Sequence, residues 1–178
     1  MSAARRPPLA VDLRSSVRRG APVVARVTAW ARAALGAGGR GGEVAVRVVG
    51  LAEGRRLNLV WRGRDYATNV LSFPVPAGGE GKVRGRARGH GRRRRFIGDI
   101  VLCAPVVARE ARQQHKTPEA HWAHLVVHGC LHLVGLDHER PADARRMERR
   151  ERRVLAALGF PDPYLEVDGD LTAFGGTT

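Results

Sequence analysis

The feature that most constrains this chain is an apolar stretch at residues 118–133 that carries histidines at helical spacing. The stretch predicts one helix. Because residues four apart lie on one side of a helix, His128 and His132 project from the same face, one turn apart. Two imidazoles need this spacing to share one tetrahedral ion.

A third histidine follows the predicted end of the helix. Gly135 can take the left-handed conformation that ends a helix, and the resulting turn would bring His138 back to the same ion. Structural zinc sites are normally closed by four protein ligands, whereas catalytic sites keep one position open. We therefore predict one Zn²⁺ per chain, held by His128, His132 and His138, with a free position for water.

The spacing H-x-x-x-H-x-x-G-x-x-H is that of metzincin proteases, whose general base is a Glu directly after the first histidine. Gly129 stands at that position, which argues against ordinary peptide hydrolysis. Two neighbours keep open interpretations. His124 either supports a ligand or fills a buried or surface position, and Asp137 either orients an imidazole or fixes the turn.

The periodicity of apolar residues predicts nine elements in the order β-α-β-α-β-β-α-α-α. We expect an α+β fold, a small mixed sheet packed with helices, in a single domain over residues 1–167 with a flexible tail at 168–178. The predicted strands are 9–13, 43–49, 69–73 and 96–102. The predicted helices are 22–35, 51–62, 103–115, 118–133 and 141–158.

The charge balance predicts a polyanionic partner. The chain has 31 Lys and Arg against 17 Asp and Glu, a net charge of +14. Nucleic acid is the first expectation and an anionic membrane surface the second, although an Arg-rich solvated surface would give the same balance. Residues 78–95 are rich in Arg and Gly, and we predict a basic flexible loop there.

The two cysteines and the N-terminal residues bear on the kind of metal site and on the location of the protein. Cys103 and Cys130 form no C-x-x-C pair, so each is predicted to be a small buried residue. The first twenty residues lack the apolar run of a signal peptide or membrane span. We expect a cytoplasmic location without membrane association.

Three motifs resemble those of one known family. The metal motif reads H-G-C-L-H-L-V-G-L-D-H over residues 128–138, against the family's H-G-x-L-H-L-x-G-Y-D-H. The others are L-N-L-V-W-R at 57–62 with T-N-V-L-S-F-P at 68–74, and G-D-I at 98–100. In this order they resemble the YbeY family of bacterial zinc-dependent endoribonucleases and rRNA maturation factors. Leu136 departs from the family's Tyr, and the basic loop is longer than usual.

The resemblance implies cleavage of single-stranded RNA, with the 16S rRNA precursor as substrate and the small ribosomal subunit and its associated factors as partners. It implies maturation of the 16S 3′ end and ribosome quality control. It also implies that Arg62 binds phosphate near the metal. The general base is open between Asp99 and Asp137. A metallopeptidase, or a ribosome-assembly factor with a structural metal, remains the alternative.

Overall fold

The computed structural model of the chain describes residues 7–76, 94–138 and 140–165. Its elements follow the predicted order, with one added 3-10 turn, and confirm the α+β fold. The strands are β1 Ala10–Ser15, β2 Gly42–Val49, β3 Val70–Pro74 and β4 Arg95–Cys103. The helices are α1 Val24–Leu35, α2 Leu51–Arg62, α3 Ala104–Gln113, α4 Pro118–Leu133 and α5 Pro141–Ala157.

The four strands form one mixed sheet in the order β1-β2-β4-β3. β1, β2 and β4 are parallel, and β3 is an antiparallel strand at the edge. Side chains alternate between the two faces, as the pleat requires. Val44, Val46 and Ile100 belong to the main core, which also holds buried residues of α1, α4 and α5.

The opposite face carries a smaller core. It contains Val49, Leu71, Val101, Cys103 and Val106, with Leu57 of α2 packed against it. Both cysteines are buried, as predicted, and they form no disulfide. The sheet therefore separates α4 and α5 on one side from α2 on the other.

Several predicted boundaries were wrong. Pro22 was expected in the first turn of α1, but the helix starts at Val24. Cys103 ends β4 rather than starting α3. The basic loop was predicted to run through Arg95, yet Arg95 pairs with Gly42 as the first residue of β4. Ladder hydrogen bonding to β2 prolongs this strand into the charged segment, where the apolar pattern has already stopped.

Arg94 is also described, and its guanidinium donates to the Pro8 carbonyl oxygen at 2.7 Å. The rest of the predicted loop, residues 78–93, and the predicted tail, 168–178, lie outside the described residues. No helix in the described part of the chain is long and apolar enough to cross a membrane.

Candidate metal centre

Helix α4 is the central element of the main core, covered by α1, α3, α5, β3 and β4. Thr117 caps its start by accepting a hydrogen bond from the Ala120 amide at 3.2 Å. Between residues 120 and 133 every residue is buried except three histidines, which are partly accessible. These are His124, His128 and His132, spaced four apart, so the accessible stripe of the helix consists of imidazoles.

The ring nitrogens of two histidines converge. His128 Nε2 and His132 Nε2 lie 3.1 Å apart. Two nitrogens bound at about 2.0–2.1 Å to one tetrahedral ion would lie roughly 3.3 Å apart. The spacing therefore fits a pair of ligands on one zinc ion.

The turn after α4 delivers the third histidine. Gly135 has φ of 84°, and the amides of Gly135 and Leu136 bond to the carbonyls of His132 and Leu131. This is the Schellman pattern predicted from Gly135. It returns the chain so that the His138 ring centroid lies 5.5 Å from that of His128 and 5.0 Å from that of His132. One ligand atom from each of the three rings lies within 4.8 Å of the others, a group that could hold a metal ion.

The sequence places Glu151 on the inner face of the last helix, but the predicted site did not include this carboxylate. Glu151 of α5 is 0% exposed, and its Oε1 lies 2.7 Å from His128 Nδ1. A carboxylate can only accept, so Nδ1 carries the proton and the Nε2 lone pair is left for a metal. The signal was available, because Glu151 is the one acid on the otherwise apolar inner face of α5.

Two further groups lie at the Glu151 carboxylate, one of them within hydrogen-bond distance. The Tyr164 hydroxyl donates to Oε2, and His124 Nε2 lies 3.5 Å from the same oxygen. His124 thus contacts the acid that supports His128, which favours the supporting interpretation over a plain surface position. His124, His128 and Glu151 could also hold an ion by distance, but a 2.7 Å contact is that of a hydrogen bond.

Burial and hydrogen bonding move two pKa values. Burial, with the nearby rings of His128 and His138, lowers the pKa of His132 to about 4. Burial alone would raise the pKa of Glu151, but the polar groups of His124, His128 and Tyr164 around the carboxylate outweigh it and lower the pKa to about 2. At neutral pH the His132 imidazole is therefore neutral, the form that binds metal, and the Glu151 carboxyl is ionised.

Asp137 lies in the turn that carries His138. Its Oδ1 accepts from the His138 amide at 2.7 Å, which fixes the turn. The same oxygen lies 3.9 Å from His132 Nδ1, beyond hydrogen-bond distance, so the orienting role stays a prediction. The Asp137 side chain is 52% exposed, at the open side of the histidine group.

Gly129 points away from the histidines. A Cβ there would lie 3.0 Å from Ile100 Cδ1 and 3.2 Å from Ser72 Oγ, so this position faces the sheet. The metzincin base is thus absent, and there is no space for a carboxylate side chain at this position without moving the sheet.

The two other predicted site residues, Asp99 and Arg62, form no hydrogen bond or ion pair with the three histidines among the described residues. The side chains of Asp99 and Ile100 lie on opposite faces of β4, so Asp99 is on the face of Val101, away from α4. Partial burial there raises the pKa of Asp99. Arg62 is the exposed last residue of α2, on that same side. It follows Trp61, whose ring contacts Phe73 of the edge strand β3, so Arg62 lies beside the strand whose Ser72 faces Gly129.

Comparison with known proteins identifies the family. The sequence model described as Endoribonuclease YbeY matches residues 19–159. The chain belongs to the YbeY family. The Endoribonuclease YbeY of Halorhodospira halophila is 53% identical over 82% of this chain and 90% of that protein. The Alkalilimnicola ehrlichii protein of the same name is 54% identical over 83% and 84%.

A solved structure shares the fold. The solution structure of TM1509 from Thermotoga maritima matches with a TM-score of 0.51 and 23% identity, covering 87% of this chain and 99% of that one. At this identity the likeness supports the architecture alone. The match to the family's sequence model and the identity with these relatives confirm the family assignment made from the three motifs.

Proposed function

We propose that this YbeY-family chain is a zinc-dependent endoribonuclease that cuts single-stranded RNA at the centre formed by His128, His132 and His138. The convergence of two imidazole Nε2 atoms, 3.1 Å apart, on the accessible stripe of a buried helix carries the proposal. The printed names of the relatives support the reaction class.

The donor set fits zinc. Three imidazoles suit this ion, and His128 has its remaining ring nitrogen bound to a carboxylate, the usual support for a histidine ligand. When bound, the ion supplies positive charge for the phosphodiester and lowers the pKa of a bound water. Because the exposed His138 forms one edge of the group, a strand can approach from its side.

The chain's own side chains bind and orient the substrate. Arg62 is proposed to hold a phosphate, since a guanidinium offers paired donors to two phosphoryl oxygens. Asp137, beside His132 and open to solvent, is the better placed of the two proposed bases, because Asp99 lies on the other sheet face. Glu151 is fully buried and accepts hydrogen bonds from His128 and Tyr164, so its proposed role is to orient His128.

The proposed biological role is maturation of the 16S rRNA 3′ end and quality control of ribosomes in the cytoplasm. The proposed partners are the 16S precursor and the small ribosomal subunit with its associated factors. The net charge of +14 supports a polyanionic substrate held by electrostatic attraction.

The decisive test is cleavage of a defined single-stranded RNA by wild-type and His132→Ala protein, purified identically and assayed for zinc. We expect the wild type to cut and the variant to lose at least about 100-fold in rate, because the ion loses a ligand. His115→Asn, in the turn after α3, is the matched control, since Asn tolerates its positive φ of 51°.

Two outcomes would reject this function. If the zinc-loaded wild type leaves RNA intact while His132→Ala loses thermal stability, the metal is structural and the chain is an assembly factor. If casein is cut in a chelator-sensitive way and RNA is not, the chain is a peptidase. The lack of space at Gly129 weighs against that second outcome.

A further inference from the structure

Helix α2 exposes a group of large side chains that the metal centre does not use. Trp61 is 63% exposed, whereas the other two tryptophans, Trp30 and Trp122, are 2% and 6% exposed. Tyr66, just after the helix, is 52% exposed. Folding normally removes rings of this size from water, so a cluster left in solvent marks a binding surface.

The Trp61 ring is held in place rather than free. It meets Phe73 of β3 edge to face, with ring centroids 5.3 Å apart and planes at 62°. Phe73 itself packs against the smaller core. Ordering the indole before a ligand arrives reduces the entropy lost on binding.

Tyr66 is fixed to the same helix. Gly63 ends α2 with φ of 67°, and the chain then turns back, so that Asn58 Nδ2 donates to the Tyr66 carbonyl at 2.8 Å. Arg64 donates to the Tyr66 hydroxyl at 3.0 Å. The buried Asn58 of the L-N-L-V-W-R motif therefore positions this turn on α2.

The charge here is positive. Residues 51–66 contain four arginines (55, 56, 62 and 64) and two acids (53 and 65), a net charge of +2. Asp65 is occupied by Arg55 through two contacts of 2.6 Å. A second copy of this chain, at +14, and the chain's own basic segment at 82–93 are both disfavoured as occupants by like charge.

We propose that this α2 surface, defined as Trp61, Arg62, Arg64 and Tyr66, binds the bases of single-stranded RNA by stacking. Exposed aromatic rings interleaved with arginines are the general means of binding unpaired nucleic acid. The surface adjoins β3, whose other side carries Ser72 against Gly129, the residue after His128. A strand that reaches both the α2 surface and the metal centre would pass the edge strand β3, so this inference rests on the proposed function.

The test compares two ligands of equal charge. A fluorescein-labelled 12-nucleotide single-stranded RNA and an abasic 12-mer with the same ribose-phosphate backbone are titrated with zinc-loaded protein, and strand integrity is checked on a gel. Trp61→Ala should weaken binding of the base-containing strand by about 5- to 150-fold, the range of one lost stacking contact, and leave the abasic strand unchanged. Trp61→Phe should restore most of the affinity.

The matched control is Val60→Ala, at the neighbouring position of the same helix, where the valine is 65% exposed. It should change neither affinity. Fluorescence gives an independent readout, because Trp61 is the exposed indole of three, so RNA should quench the emission that Trp61→Ala removes.

Each outcome decides the inference. Equal RNA affinity of Trp61→Ala and wild type overturns it and leaves α2 as a protein-docking surface. Equal losses on both strands would also overturn it, because stacking cannot weaken binding of a strand without bases. Normal RNA cleavage by Trp61→Ala with unchanged binding rejects only this inference, whereas absent cleavage by the wild type rejects the proposed function instead.

Discussion

At the scale of single residues, the centre depends on side chains that the metal would not touch. Glu151 is fully buried, where an unpaired carboxylate would be very costly. It is compensated by His128, His124 and Tyr164 together. The same contacts that make its burial tolerable also fix the orientation of the His128 ring.

Glu151→Gln should therefore weaken zinc binding by about 10- to 100-fold while the fold is kept, because a neutral amide is a poorer acceptor for His128 Nδ1. Competition with a chromophoric chelator measures this. Glu148→Gln, on the same helix with its side chain 38% exposed, is the control and should bind as the wild type does. Equal affinities of the two variants would contradict the orienting role.

The low pKa of His132 predicts a pH dependence in the metal-free protein. The pKa of His132 in the folded protein, about 4, is below the ordinary 6.5. Between these two values the unfolded chain binds a proton at His132 and the folded chain does not. Stability should thus be full above pH 6.5 and fall as the pH drops towards 4. Urea unfolding at pH 7 and pH 5 measures it. His132→Gln should reduce the difference between the two midpoints, and an unreduced difference would assign the effect to other groups.

At the scale of elements, α4 shows how one helix serves the core and the site together. Its buried sides contact other helices and the sheet, and its histidine stripe remains accessible. Gly129 permits this arrangement, because it lets α4 approach Ile100 and Ser72 closely. Gly129 thus replaces the metzincin glutamate and is also needed for the close packing of α4 on the sheet.

Gly129→Glu should destabilise the protein by several kcal/mol and create no peptidase, since the carboxylate would be forced against the sheet. Thermal unfolding with a casein assay tests both statements. Val134→Glu introduces the same charge at an exposed position after α4 and should cost less than about 1 kcal/mol. A stable Gly129→Glu protein would mean that this position does not face the sheet.

At the scale of the whole molecule, the positive net charge is expected to govern RNA binding. Replacing the six basic residues between positions 82 and 93 by serine changes the net charge from +14 to +8. The slope of log affinity for single-stranded RNA against log salt should then fall by up to about four. Fluorescence anisotropy at several salt concentrations measures the slope. Arg94 and Arg95 are not replaced, because Arg94 bonds to the Pro8 carbonyl oxygen and Arg95 belongs to β4. An unchanged slope would show that the segment 82–93 does not contact RNA.

Sequence patterns were sufficient for local features. Alternating valines predicted β2, and Gly135 predicted the turn that returns His138, because strand pleat and helix termination depend on neighbouring residues. The element order and the α+β class followed from the same patterns. Boundaries such as Arg95 were missed, since pairing with Gly42 depends on a residue far away in the chain.

The sequence by itself determined the spacing of the three histidines, the absence of a metzincin glutamate and the family to which the chain belongs. Only the tertiary structure decided that Glu151 lies under His128, that Asp99 lies on the sheet face away from α4 and that Trp61 remains in solvent. The physical reason is distance along the chain. Helical spacing depends on residues a few positions apart. The positions of α5, β4 and α2 relative to α4 are set only when the sheet forms.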